Sequence, residues 1–169
     1  MFFFDEGRFG LKPVVGRCWT EKGARPVATV RPGYENFYVY SAACPSIGEN
    51  MTLFLPWVNT DMMNIFLEEM DKFLAGRQCF LVMDMAGWHR AEGLREPKNI
   101  KIIYLPPYSP ELNPVERLWQ WLKRHRECNV IRNRFYQTIE DVMDAVQNCL
   151  KLATPNFLNN LCKCNYLLP

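Results

Sequence analysis

Residues 79–84 read CFLVMD. The run is continuous and apolar, as in a strand covered on both faces rather than one half-exposed to water. It closes on a carboxylate, Asp84, at the end of the strand where α/β sheets place their ligands. Upstream, Met62, Met63, Phe66, Leu67, Met70, Phe73 and Leu74 recur at helical spacing,. Asn59 or Thr60 can cap that helix, and Gly76 ends it. Downstream, a short helical or irregular piece carries His89 and Arg90, and residues 100–105 form a further apolar strand.

The N-terminal part reads as strands and loops. Residues 1–4, MFFF, predict a short buried strand ending on Asp5. Gly7, Gly10, Pro13, Gly16 and Gly23 then mark a loop-rich excursion. A second short strand is expected over residues 27–30, closed by Arg31-Pro32-Gly33. Residues 36–43, NFYVYSAA, predict a third, and residues 51–55 another that pairs beyond Pro45 and Gly48,. In the C-terminal part, PPYSP at residues 106–110 is a stiff loop. Asn113 as cap, Pro114 at the first helical position and Glu116 at the third open a helix with Leu118, Trp119, Trp121 and Leu122 on its apolar face. Thr138 with Asp141 starts another helix, and Thr154-Pro155 a last one. The order predicts an α/β chain, a mixed sheet with helices packed on it, in one domain over residues 1–169,. Strands joined by loops should be antiparallel, and those joined through helices parallel.

Composition narrows the function classes. Hydrophobic residues at 49% and charged residues at 22% match a folded chain rather than a disordered one,. No apolar run is long enough to span a bilayer, so no membrane partner is expected. Residues 1–4 have no basic lead and break on Asp5 and Glu6, unlike a signal peptide, so a reducing cytosol is the expected compartment. The seven cysteines form no CxxC pair, which excludes a zinc ribbon and a redox motif,. Cys162-Lys163-Cys164 is the closest pair, and buried free thiols are expected. Between residues 8 and 31 there are six basic residues and one acid; between 117 and 134, seven basic residues counting His125 face Glu127 alone. With an acidic stretch at residues 35–71 between them, these segments fit either a track for a phosphate backbone or ordinary solvated surface.

Three features carry chemistry: Phe4-Asp5-Glu6, Val82-Met83-Asp84, and LPPYSPELNPVERLW at residues 105–119. If the first two strands are neighbours, Asp5 and Asp84 converge at one sheet end, and Glu116 joins them from the first turn of a helix. Hard divalent cations want oxygen ligands. Two such ions held close together can activate the attacking oxygen and stabilise the leaving one in phosphoryl displacement. Taken singly, Asp5-Glu6 and Asp84 also suit strand-ending turns, and Glu116 suits the acid of a capping box.

In this order the three features resemble the catalytic domain of DDE transposases, in the mariner-like superfamily and its bacterial insertion-sequence branch. Phe3-Phe4-Asp5-Glu6 is similar to the family's first motif. Residues 81–89, LVMDMAGWH, are similar to the second, which typically reads Asp-Asn-Ala/Gly and ends in His. Residues 105–119 are similar to the third, Pro-Pro-Tyr-Ser-Pro-x-Leu-Asn-Pro-hydrophobic-Glu, and Gly23 to Pro26 resembles its Gly-x-x-Pro. The resemblance implies a ribonuclease H-like fold, Mg²⁺ or Mn²⁺ as a cofactor (a pair of ions), and Asp5, Asp84 and Glu116 as the metal-binding, catalytic triad. It implies cleavage at transposon ends and attack of the freed 3′-hydroxyl on target DNA, by a homodimer in a bacterial, nucleoid-associated setting. His89 is a candidate for positioning a phosphate or the metal site, or equally for a structural hydrogen bond; Arg117, Lys123, Arg124, Arg126, Arg132 and Arg134 are candidates for DNA-backbone contacts. Tyr108 and Ser109 are candidates for touching DNA, with packing within their rigid loop the favoured role, and Trp119 and Trp121 are expected to belong to the core. Two departures stand out. Met85 occupies the place of the family's Asn, and the family's N-terminal helix-turn-helix region is expected to be absent. Positions 85–115 put 31 residues between the last two acids, slightly fewer than usual. The alternative is a truncated, inactive relic that at most binds DNA or dimerises.

Overall fold

The computed structural model describes residues 1–12, 14, 16, 19–25, 33–125 and 127–164. The strand expected at residues 27–30, the motif residue Pro26, Cys18 and the candidate Arg126 lie outside them.

Among the described residues, five strands form one sheet in the order β3-β2-β1-β4-β5. They are β1 (Phe2–Gly10), β2 (Asn36–Cys44), β3 (Glu49–Leu55), β4 (Cys79–Met83) and β5 (Ile100–Tyr104). β1 pairs antiparallel with β2, and β2 with β3. The β1–β4 and β4–β5 pairs, whose connections leave the sheet, are parallel. The apolar run CFLVM is β4, with the bounds its sequence predicts, and it sits between β1 and β5.

β1 corrects the sequence reading. It does not stop at Phe4 but runs nine residues, through Asp5 and Glu6 to Gly10. The reason is non-local: β2 pairs with it from Phe3↔Ala43 to Gly10↔Asn36. Its parallel partner is much shorter, since β4 meets only Phe2 (at Leu81) and Phe3 (at Val82). Carrying that register two residues on brings Asp5 level with Asp84, just where β4 ends.

Both faces of the sheet are covered. Helix α1 (Thr60–Leu74) buries Met63, Phe66, Leu67, Met70 and Leu74 against Phe2, Phe4, Tyr40, Leu81 and Met83. Asn59 caps it, its Oδ1 accepting the Met62 N–H at 2.9 Å; the helix exits through positive φ at Ala75 (49°) and at the expected Gly76 (85°). The other face carries α2 (Val115–Arg124), α3 (Ile139–Lys151) and α4 (Pro155–Leu161), packed on Phe3, Phe9, Phe37, Val39 and Val82. Thr138 and Asp141 form the expected capping box of α3. Cys128 and Cys149 are joined as a disulfide that ties the segment after α2 to α3, so the expectation of free thiols fails there; Cys44, Cys79, Cys162 and Cys164 are free and buried.

The β2–β3 turn docks α4. Gly48 has φ +68°, and a Cβ there would overlap the backbone of Pro155. Asn159 adds a bond from its side-chain amide to the Ser46 carbonyl at 3.3 Å. Gly48→Ala meets both a left-handed penalty and backbone overlap, together costing about 2–5 kcal/mol. Thermal melts should read this as a Tm lower by roughly 5–15 °C. An unchanged Tm would mean that α4 does not rest on this turn.

Candidate active site

Asp5, Asp84 and Glu116, brought from β1, the end of β4 and the first turn of α2, line one cavity. Met85, Arg90, Asn113 and the loop at residues 105–110 complete its wall. The loop is launched by β5: the Leu105 N–H still bonds the Met83 carbonyl at 2.8 Å, and Pro106, Pro107 and Pro110 stiffen the path from there to α2,. Asn113 then fastens the start of α2 to β1. It is 5% exposed, its Nδ2 donates to the Phe4 carbonyl at 2.8 Å, and its Oδ1 accepts the Val115 N–H at 3.2 Å. One buried amide thus fixes the helix carrying Glu116 to the strand carrying Asp5, at the peptide just before it. The capping-box alternative for Glu116 loses its partner, because the Asn113 N–H is given to the Pro110 carbonyl at 2.9 Å.

Asp5 faces the α2 side of the sheet. Its Oδ2 accepts the Trp119 indole N–H at 2.7 Å. Gly7 makes room for that indole: a Cβ there would stand 3.0 Å from the Trp119 ring. Burial pushes the Asp5 carboxyl up to about 7 against the pull of the Trp119 bond, and the charges of Glu116 and Glu6 add to the rise,. Asp84 has the opposite tendency. The hydrogen bond from His89 holds it below the usual carboxylate range against partial burial, helped by the Ala86 N–H at 3.0 Å. His89 is 1% exposed. Its Nδ1 lies 2.8 Å from Asp84 Oδ1 and its Nε2 2.8 Å from Glu6 Oε1. Burial alone would lower this imidazole; the bonds to Asp84 and Glu6 outweigh it and raise the group to about 9, so both ring nitrogens carry protons at neutral pH,. Among the described residues no three carboxylate, imidazole or thiol groups close around one point; the three acids are presented separately along the cavity wall.

The sequence profile of the DDE superfamily endonuclease family matches residues 1–148, most of the chain. The chain belongs to this family. It is 25% identical over 164 residues to the 39 kDa protein of the IS630 insertion element of Shigella sonnei, covering 92% of this chain and 46% of that protein. An uncharacterised protein of Sinorhizobium fredii (strain NBRC 101917 / NGR234) is 37% identical over 107 residues, 63% of this chain and 76% of its own length. Among solved structures, the Mos1 strand transfer complex superposes with a TM-score of 0.69 at 17% identity, over 95% of this chain and 50% of that one. The Mos1 mariner paired-end complex with Mg gives 0.70 at 16% identity, over 95% and 50%. This is a DDE superfamily endonuclease domain with the ribonuclease H-like α/β fold. It spans about half the length of the insertion-element protein and of the Mos1 chain.

Other expected residues of the DDE domain fall in several places. Lys123 points inward, its Nζ 5.0 Å over the Phe9 ring; burial lowers its pKa against the pull of Glu116 and Asp5. Arg117 is half-buried and donates to the Lys163 carbonyl. Arg124 is exposed beside Trp121 and His125. Arg134 is exposed and donates to the Asn129 carbonyl at 3.3 Å, while Arg132 is half-buried near Gly16. These side chains do not line the acidic cavity, whereas Arg90, which the sequence does not single out, does. Tyr108 corrects its expectation of loop packing: it is 100% exposed at the cavity mouth, with φ +56°. Trp121 is core as expected, and Trp119 is both core and the hydrogen-bond partner of Asp5.

Proposed function

We propose that this domain is the catalytic part of a transposase that cleaves DNA at transposon ends and transfers the freed 3′-hydroxyl into target DNA, with Asp5, Asp84 and Glu116 as its metal-binding carboxylates. The observation that carries this reading is the delivery of three acids to one cavity by three separate elements of the sheet and α2. Their chemistry fits a hard divalent cation. All three donors are carboxylate oxygens. Asp5 is buried next to other acids with a single indole N–H as its hydrogen-bonded side-chain partner, a carboxylate whose ionisation calls for positive charge,. When bound there, a pair of Mg²⁺ or Mn²⁺ ions would supply Lewis acidity to phosphoryl transfer.

The chain's own residues prepare the site. Asn113 sets the distance between α2 and β1, Trp119 orients Asp5, and His89 orients Asp84. Arg90 and the mouth of the proline-rich loop offer a cation and an exposed aromatic ring to a nucleic-acid strand entering the cavity,. The Mos1 neighbours support this reading, since they include a complex with a left transposon end and complexes with Mn and with Mg. Joining two ends implies a homodimer by analogy. Among the described residues no helix is long and apolar enough to cross a membrane.

A second reading, an inactive relic that at most binds DNA, is favoured by Met85: its thioether stands on the cavity wall where the family places an amide. Calorimetric titration with Mn²⁺ separates the two. The parent should bind, and Asp84→Asn should weaken binding at least tenfold, because a charged ligand is lost. A folded parent that takes up no Mn²⁺ establishes the relic.

A further inference from the structure

We infer that Glu6 and His89 are positioning residues for Asp84: Glu6 anchors His89 from the opposite face of the sheet to Asp5, and His89 fixes the Asp84 carboxylate toward the cavity. The inference rests on the metal-site reading above.

Adjacent residues of a strand point to opposite faces. Phe3 and Phe9 belong to the α2-side core, and Phe2 and Phe4 to the α1-side core. Asp5 accordingly meets Trp119 of α2, while Glu6 meets Trp88 and His89 of the 3₁₀ turn Gly87–His89 on the other side. The two acids of one motif therefore do different work. Glu6 Oε1 accepts from the Trp88 indole at 3.1 Å and faces His89 Nε2 at 2.8 Å, with its side chain only 7% exposed. The His89 ring is held edge-on to Phe4, 5.6 Å between centroids, and its carbonyl receives the Tyr104 hydroxyl at 2.6 Å. Its Nδ1 lies 2.8 Å from Asp84 Oδ1.

Asp84 needs such a restraint. Its side chain is 59% exposed, and among the described residues His89 and the Ala86 N–H are what hold it. Without the imidazole it would be free to turn among rotamers in water. A structural role alone does not explain a buried Glu–His pair, because a well-packed apolar pair of similar volume is commonly as stable or more so. What an apolar pair lacks is an N–H directed at Asp84. Partners behind a ligand in this way typically change metal affinity about 10–100-fold when removed.

The test is Mn²⁺ affinity by calorimetry, with thermal melts alongside, in His89→Phe, Glu6→Leu, Glu6→Gln, the double variant His89→Phe/Glu6→Leu, and Asp84→Asn. His89→Phe keeps a ring but no N–H and should bind Mn²⁺ about 10–100-fold more weakly. Glu6→Leu leaves the Trp88 indole and His89 Nε2 without their acceptor, so it should lower Tm and bind Mn²⁺ about tenfold more weakly, whereas the double variant should recover Tm,. Glu6→Gln keeps an acceptor for both N–H groups and should stay within about threefold of the parent. The double variant should be no weaker than His89→Phe, because Glu6 acts through His89. As a stability control, Met70→Ala in α1 should lower Tm without changing Mn²⁺ affinity. Parental affinity in Glu6→Leu, or losses that multiply in the double variant, overturn the inference. If Asp84→Asn loses Mn²⁺ while His89→Phe keeps it, the positioning role fails and the metal site stands. A folded parent that binds no Mn²⁺ overturns both.

Discussion

On the proposed transposase reading, Glu116→Gln should leave the domain folded and lower metal-dependent DNA cleavage by about a thousandfold or more. The substitution is close to isosteric and removes one charge from the cavity wall. Its cost to the fold should be small. Asn113, not Glu116, satisfies the start of α2, through its Oδ1 on the Val115 N–H and its carbonyl on the Glu116 N–H. An acid in the first turn contributes about 0.3–1 kcal/mol through the helix dipole. Here that gain is offset by repulsion from Asp5, whose carboxyl is raised partly by Glu116. A capping role would give the reverse pattern, lower stability with cleavage retained. Nicking of supercoiled DNA in Mn²⁺, with Asp84→Asn alongside, decides between them. Cleavage retained in both variants would remove the triad assignment.

The legible parts of this fold are those whose signal is local. β4 is a bare apolar run, α1 carries its spacing and its Asn59 cap, and α3 announces itself through Thr138 and Asp141. The three acids are legible because each sits at an element boundary or in a distinctive motif. β1 reads short because Asp5, Glu6, Gly7 and Gly10 look like a loop in isolation. What extends the strand is β2, from the Phe3↔Ala43 pair to Gly10↔Asn36, a pairing that no local pattern encodes. The supports of the site are hidden for the same reason. His89 lies 83 residues from Glu6, and Trp119 lies 114 residues from Asp5. Trp119 advertises itself only as one more apolar residue on a helix face, and His89, though it closes the second motif, gives no sign in the sequence that Glu6 is its partner. Cys128 and Cys149, 21 residues apart, have no spacing motif to betray their pairing. Tyr108 escapes a sequence reading because prolines signal a stiff loop without saying which way its side chain faces.

Asp5→Asn should abolish the proposed cleavage and, in chelator at pH 8, should make the domain more stable than the parent by roughly 2–3 kcal/mol, after allowance for partial solvent screening,. The sign is set by linkage. Asp5 titrates at about 7 in the folded chain, against 3.8 for the unperturbed group. Between those values the folded state holds a proton that the unfolded state has released, so stability falls as pH rises from about 4 to about 7 and is level above. Asparagine carries no such penalty and still offers an oxygen to the Trp119 indole, whose bond to Asp5 is 2.7 Å long,. The stability gap between variant and parent should therefore be near zero at pH 4, grow through pH 6 and level off by pH 8, as measured by urea unfolding in EDTA. Added Mg²⁺ should stabilise the parent alone and narrow the gap, because a cation that binds the native state stabilises it by mass action. Equal stability at pH 8 would mean that water already solvates the Asp5 carboxylate. A residue that weakens the fold unless a cation arrives is hard to account for by packing, and it is what a site under functional demand keeps at the expense of stability.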